Sequence, residues 1–182
     1  MASFRNPGRV AGITALELLL VLAIATLLAG VGIPGLQEFT LRKRMDAGVT
    51  RLHTDLNFAR RQAIVRTLQV VACPGNEQAG CLDIAQWEDG WLVYADHNGD
   101  RLRQSSEPIL RTGNALELLS VRSAETRRSI RFSPAGAAPA SNASIVFCDR
   151  RGLDGGRKLV ISNTGRMRRA ELDAADAPRC VQ

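Results

Sequence analysis

Near the C-terminus, Asn163-Thr164-Gly165-Arg166-Met167-Arg168-Arg169 places three arginines within four positions, directly after a turn-forming tripeptide. In a β-strand alternate side chains share a face, so Arg166 and Arg168 point together while Met167 and Arg169 face the other way. Two guanidiniums about 6–7 Å apart suit successive backbone phosphates of a nucleic acid, one charge each. Gly165 lets the backbone approach closely or turn sharply. Arg150, Arg151, Arg157 and Lys158 precede this run, so Asp149 to Arg169 holds seven basic residues against two acidic ones. A plain solvated strand is the competing reading, because charge runs usually cover wet surface.

Aromatic residues make up 4% of the chain and none lies between Cys148 and Gln182, which leaves base stacking a minor contributor. Binding by such a patch is electrostatic, sequence-independent and salt-sensitive, with affinity in the range of roughly 10⁻⁴–10⁻⁶ M. The overall formal charge is +6, a weak pointer to an acidic partner compared with this local excess.

Other constellations are less telling. Asp96, Asn98, Asp100 and Glu107 have the offsets of a calcium loop, but Arg101 stands where such a loop needs glycine. Asn98-Gly99 reads instead as a hairpin turn, and no metal or other cofactor is assigned. No Ser-His-Asp, Cys-His or paired-carboxylate arrangement stands out, His53 sits among charges, and the chain does not read as an enzyme.

The elements that position the arginines begin at the other end. From Leu18 to Leu36 the segment LLLVLAIATLLAGVGIPGL carries no charge. At about 1.5 Å rise per residue it reaches across most of a hydrocarbon core roughly 30 Å thick. Glu17 at its edge asks for a cationic partner, or else a place near the headgroups. Gly30, Gly32, Pro34 and Gly35 predict a bend in this helix, not its end. Met45, Val49, Leu52, Leu56, Ala59 and Ala63 then form one apolar stripe at helical spacing, with Arg44, Asp46, Arg51, Asp55, Arg60 and Arg61 on the wet face. The stripe predicts packing on a globular domain; a free coiled coil is the rival.

After Thr67 the composition becomes strand-like. Strands are predicted at Val70–Ala72, Trp91–Tyr94, Pro108–Leu110, Leu116–Val121, Ser129–Phe132, Ser144–Cys148, Lys158–Ser162 and Met167–Leu172. Short strands between Gly, Asn and Asp argue one antiparallel sheet or two small ones. The four cysteines, Cys73, Cys81, Cys148 and Cys180, include no C-x-x-C and read as disulfides in an exported domain. Three connectivities are open. The turn-rich loop Pro74–Gly80 favours Cys73–Cys81, which leaves Cys148–Cys180; free buried thiols are the alternative.

The N-terminal pattern resembles the class III signal of type IV pilins and pseudopilins. It has a short basic leader with Arg5 and Arg9, then Gly12, Ile13 in place of the usual Phe, Glu17 five positions after the glycine, and the apolar run. The resemblance implies cleavage after Gly12 by a prepilin peptidase, methylation of the Ile13 amine, and a meeting of Glu17 with a neighbouring subunit's N-terminus. It also implies a single-pass protein of the bacterial inner membrane with a periplasmic head, associated with other pilins in a filament.

Further along, Trp87…Asp89-Gly90-Trp91, Asp96…Asn98-Gly99-Asp100, Glu107-Pro108-Ile109-Leu110, Phe132-Ser133-Pro134…Gly136, Phe147-Cys148-Asp149 and Val160-Ile161-Ser162 before Gly165-Arg166 resemble the GspH/FimT branch. The implied fold is α+β, pilin-like: a long N-terminal helix packed on an antiparallel β-rich head. The expected division is a leader at 1–12, a transmembrane helix at 13–36, an amphipathic helix at 37–68 and the head at 69–182. Gly165-Arg166-Met167-Arg168 is similar to the GRxR motif through which FimT proteins bind DNA. That makes Arg166 and Arg168 the leading DNA ligands and Arg169, Arg150, Arg151, Arg157 and Lys158 helpers. The implied function is a minor pilin that takes up DNA in natural transformation; the alternative is a GspH-type pseudopilin or minor pilin with a structural role in type II secretion or pilus assembly.

Overall fold

The longest element is a helix, and its start is dictated by a four-residue signal. Thr14 and Glu17 have the spacing of a capping box, and the Thr14 hydroxyl accepts the Glu17 amide at 3.2 Å. Glu17 thereby falls in the first turn, where the helix dipole favours a carboxylate. Helix α1 runs Ala15–Arg66 and does not end at the Gly/Pro cluster. The computed structural model of the chain describes residues 14–180, without the side chains of residues 29 and 31–34. Gly12 and Ile13, the expected processing site, lie outside the described residues.

The chain divides between Thr40 and Leu41 into two units. In the first, Leu16, Leu18, Leu19, Leu20, Leu27 and Leu28 of α1 are exposed. Among the described residues no helix is long and apolar enough to cross a membrane. The transmembrane assignment of 13–36 therefore stays an expectation of the sequence.

In the second unit, α1 buries Leu41, Met45, Val49, Leu52, Leu56, Ala59 and Ala63, the predicted stripe with one more turn at its start. Thr67, at φ 54°, ends the helix in a left-handed conformation. The strands follow as β1 Gln69–Asn76, β2 Gly80–Cys81, β3 Trp91–Asp96, β4 Ile109–Gly113, β5 Ser120–Arg122, β6 Ile130–Phe132, β7 Ala143–Cys148, β8 Arg157–Ile161 and β9 Met167–Ala170. They form two sheets, one ordered β2-β1-β3-β4 with β6 also on β1, the other β5-β7-β8-β9. The described strand pairs are antiparallel throughout.

One core serves both sheets. The α1 stripe packs with Val70, Ala72, Trp91, Val93, Ile130 and Phe132 from the first sheet and Val121, Ile145, Phe147, Leu159 and Ile161 from the second. Strand β1 is buried on both faces, because Val71 and Cys73 join Leu92 and Tyr94 in a second cluster on its far side. Asp55 ties α1 to the first sheet, accepting Trp91 Nε1 at 3.0 Å and Arg111 Nη1 at 2.9 Å.

The cysteines pair as Cys73–Cys81 and Cys148–Cys180. The second bridge pins a short 3-10 helix, Ala174–Arg179, that the strand pattern gave no sign of. The Asn98-Gly99 expectation needs correcting. Strands β3 and β4 last pair at Tyr94↔Ile109, so the connection is a long loop and not a two-residue turn. The loop is held by its own carboxylates: Asp96 accepts the Gly99 and Arg101 amides at 2.7 and 3.2 Å, and Glu107 accepts those of His97 and Gln104 at 2.8 and 3.0 Å.

Candidate nucleic-acid interface

The arginine cluster lies on the β8–β9 hairpin, and the hairpin register decides where each side chain goes. Val160 pairs with Arg168 and Ile161 with Met167. Ile161 is core and Met167 packs against the same core, so the inward face of β9 carries Met167 and Arg169. Arg166 and Arg168 take the outward face, as alternation requires. Both are exposed, and neither guanidinium has a hydrogen-bond or ion-pair partner among the described residues. Arg169 reaches α1 instead, donating to the Thr50 hydroxyl at 3.0 Å. Its charge lies beside His53, whose pKa is lowered first by burial and then by that guanidinium.

The turn joining the strands is built from the predicted residues. Gly165 N–H donates to the Ser162 carbonyl at 2.9 Å, and Ser162 N–H to the Arg166 carbonyl at 3.0 Å. Gly165 is buried at φ +76°, and a Cβ there would collide with the Gly136 carbonyl oxygen. Its lack of a side chain is thus required by an intramolecular contact. Two bonds fix the same junction: Ala138 N–H to the Asn163 carbonyl at 2.9 Å, and Arg60 Nε–H of α1 to the Gly136 carbonyl at 2.8 Å.

The expected helper residues fare differently. Lys158 is covered by the C-terminal 3-10 helix, and its ammonium donates to Asp173 at 2.6 Å and Asp176 at 2.8 Å. Those bonds raise its pKa, the one to Asp173 most. The Asp173 carboxyl is correspondingly lowered, chiefly by the bond from Lys158. Arg179 closes the network by bonding the other Asp176 oxygen and the Ser144 carbonyl. Arg151 is bound to the buried Asp149 carboxylate at 2.7 Å. Arg157 donates to the Gly156 carbonyl at 2.7 Å. Arg150 is exposed on the turn after β7. The structure therefore groups Arg166 and Arg168, sets Arg169 against the helix, and commits Lys158 and Arg151 to carboxylates.

Arg60 is the residue that sequence reasoning missed. It reads as one more charge on the wet face of a helix, and nothing local ties it to a glycine 105 positions later. Only the folded seam between α1 and β9 brings its Nε to 3.2 Å from the position of a Gly165 Cβ.

Comparison with known proteins agrees with this architecture. Residues 48–165 match the family described as Type II transport protein GspH. The match ends at Gly165, one position before Arg166, so it speaks for the head and not for the arginines. The chain is 33% identical over 166 residues to the pilin-like protein PilA1 of Thermus thermophilus, an alignment covering 86% of this chain and 96% of that one. Among solved structures, it is similar to the type IV minor pilin FimU of Pseudomonas aeruginosa in two crystal forms. One superposes with TM-score 0.57 at 20% identity, covering 78% of this chain and 98% of that one. The other gives 0.54 at 18%, covering 69% and 91%. At those identities the likeness is one of fold. Since a family match over most of the head coincides with identity along nearly all of PilA1, the chain belongs to the GspH family of type IV pilin-like proteins and is a structural subunit of that class, not an enzyme.

Proposed function

We propose that this minor pilin-like protein binds DNA without sequence preference through Arg166 and Arg168, and that it does so as a filament component that captures DNA for uptake in natural transformation. In this reading residues 13–36 anchor it in the inner membrane and among neighbouring pilins, with the head in the periplasm. The observation that carries the reading is the pair of exposed, unpartnered guanidiniums of Arg166, directly before β9, and Arg168 within it. Most other basic groups near them are already bonded to carboxylates or carbonyls.

The test is anisotropy of a labelled duplex with the full-length protein in non-ionic detergent. Each phosphate contact contributes about 0.9 to the slope of log K against log salt, or roughly eightfold in affinity at 0.1 M. Arg166→Ala with Arg168→Ala should lower the slope by about 1.8 and weaken binding on the order of fiftyfold. Unchanged affinity in the double variant would remove the proposal.

A structural role in type II secretion or pilus assembly is the second reading. It is favoured by Gly165, whose need for glycine is met by the Gly136 contact without any ligand. A flat salt titration of the wild type would leave this reading in place.

A further inference from the structure

The tip of the β8–β9 hairpin meets two other segments, and their combined charge is one-sided. The last turns of α1, Leu56 to Arg66, contain arginines but no carboxylate. The loop from Ser133 to Asn142 carries no charge, and Leu159 to Ala170 is basic without an acid. These three stretches converge at one point. Arg60 Nε donates to the Gly136 carbonyl, Asn163 accepts from Ala138, and Gly136 and Gly165 are packed backbone to backbone. Arg61, the next residue on α1, is exposed and unpartnered among the described residues. On α1 the nearest carboxylate is Asp55, buried and committed to Trp91 and Arg111, with Asp46 farther back; on the strand side Glu171 follows just past β9.

We infer that the polyanion-binding face crosses from β9 onto α1, so that Arg60 and Arg61 contact backbone phosphates of the same duplex as Arg166 and Arg168. This rests on the DNA-binding reading above and enlarges its footprint. The Arg60 Nε is spent on Gly136, but the two terminal nitrogens of the guanidinium have no partner among the described residues and can face a phosphate. Arg169 lies farther down the seam, opposite Thr50. The ten-position step from Thr50 to Arg60 spans about 15 Å of helix. A duplex offers one phosphate charge per about 1.7 Å of axis, so a seam of that length faces several at once. Such a surface holds a phosphate track between a helix and a strand, where β9 alone offers a single row of two.

The experiment compares three variants of the full-length protein in non-ionic detergent against one labelled duplex of mixed sequence. Arg61→Ala should weaken binding roughly five- to tenfold at 0.1 M salt and lower the salt slope by about 0.9. Arg61→Glu should weaken it further. Arg128→Ala, which removes one positive charge that pairs with Asp83 and Glu125, is the net-charge control and should change affinity less than about twofold. If Arg61→Ala and Arg61→Glu bind like wild type while the Arg166/Arg168 double variant does not, the helix is outside the footprint and this inference fails alone. If the double variant binds normally, the DNA reading itself fails. An equal loss in Arg61→Ala and Arg128→Ala would also overturn the inference, because net charge alone would then account for it.

Discussion

Gly165→Ala separates a glycine required by backbone geometry from one required by a close contact. Two costs add at this position. At φ +76° a residue with a Cβ is disfavoured by about 1–2 kcal/mol. The new Cβ would also stand closer to the Gly136 carbonyl oxygen than the 3.0 Å that real Cβ atoms keep, so the 133–138 loop must retreat. Retreat stretches the Arg60–Gly136 and Ala138–Asn163 hydrogen bonds, each worth about 1 kcal/mol, more where a buried carbonyl loses its only donor. The expected total is about 3–5 kcal/mol.

Gly152→Ala supplies the control. Gly152 also has positive φ, +66°, but nothing lies within 4 Å of a Cβ there, so only the backbone cost of about 1–2 kcal/mol applies. Thermal unfolding of the oxidised protein by circular dichroism reads the difference. For a head of this size, 2–3 kcal/mol is a melting-point gap of roughly 10 °C. Equal losses in the two variants would refute the claim that the hairpin tip is wedged against Gly136.

Two further outcomes are expected. Asp55→Ala leaves the buried Trp91 indole N–H without its acceptor and removes the carboxylate partner of the partly exposed Arg111 guanidinium, and should cost about 2–3 kcal/mol in urea unfolding. Asp55→Asn, which keeps an acceptor for Trp91, should cost less than half of that. Acid should also loosen the turn after β7. Burial pushes the Asp149 carboxyl up, but hydrogen bonds from the Arg151 side chain and backbone, with its charge, outweigh this and hold it below the ordinary 3.8. A lowered folded pKa contributes stability that is present above pH 3.8 and lost as pH falls through the folded value. The urea midpoint should therefore drop as pH falls below about 4, with a shallower drop in Arg151→Gln; identical profiles for the two proteins would sink this assignment.

Much of the architecture was legible in residue order. The α1 stripe, from Met45 to Ala63, appears in the structure at the predicted positions, because helical period and burial are properties of local spacing. Among the described residues, eight of nine strands overlap a predicted segment, although β5, Ser120–Arg122, shares only Ser120 and Val121 with the predicted Leu116–Val121. The outward pairing of Arg166 with Arg168 follows from alternation alone once β9 is a strand. The two-residue strand β2 was too short to leave a pattern, and the 3-10 helix near the C-terminus has a capping box but no apolar period. Asn98-Gly99 misled because a dipeptide signal cannot register that Asp96 and Glu107 hold a longer loop from both ends.

What required the fold was every judgement about which charges are available. Lys158 and Arg166 look alike as letters in a basic run. One is neutralised by Asp173 and Asp176, brought back by the bridge between Cys148 and Cys180, while the other is left bare. Arg60 reaches the hairpin only because α1 and β9 pack along one seam. Electrostatic partners are chosen by distance through space, and chain order carries no record of a contact that closes across a hundred residues.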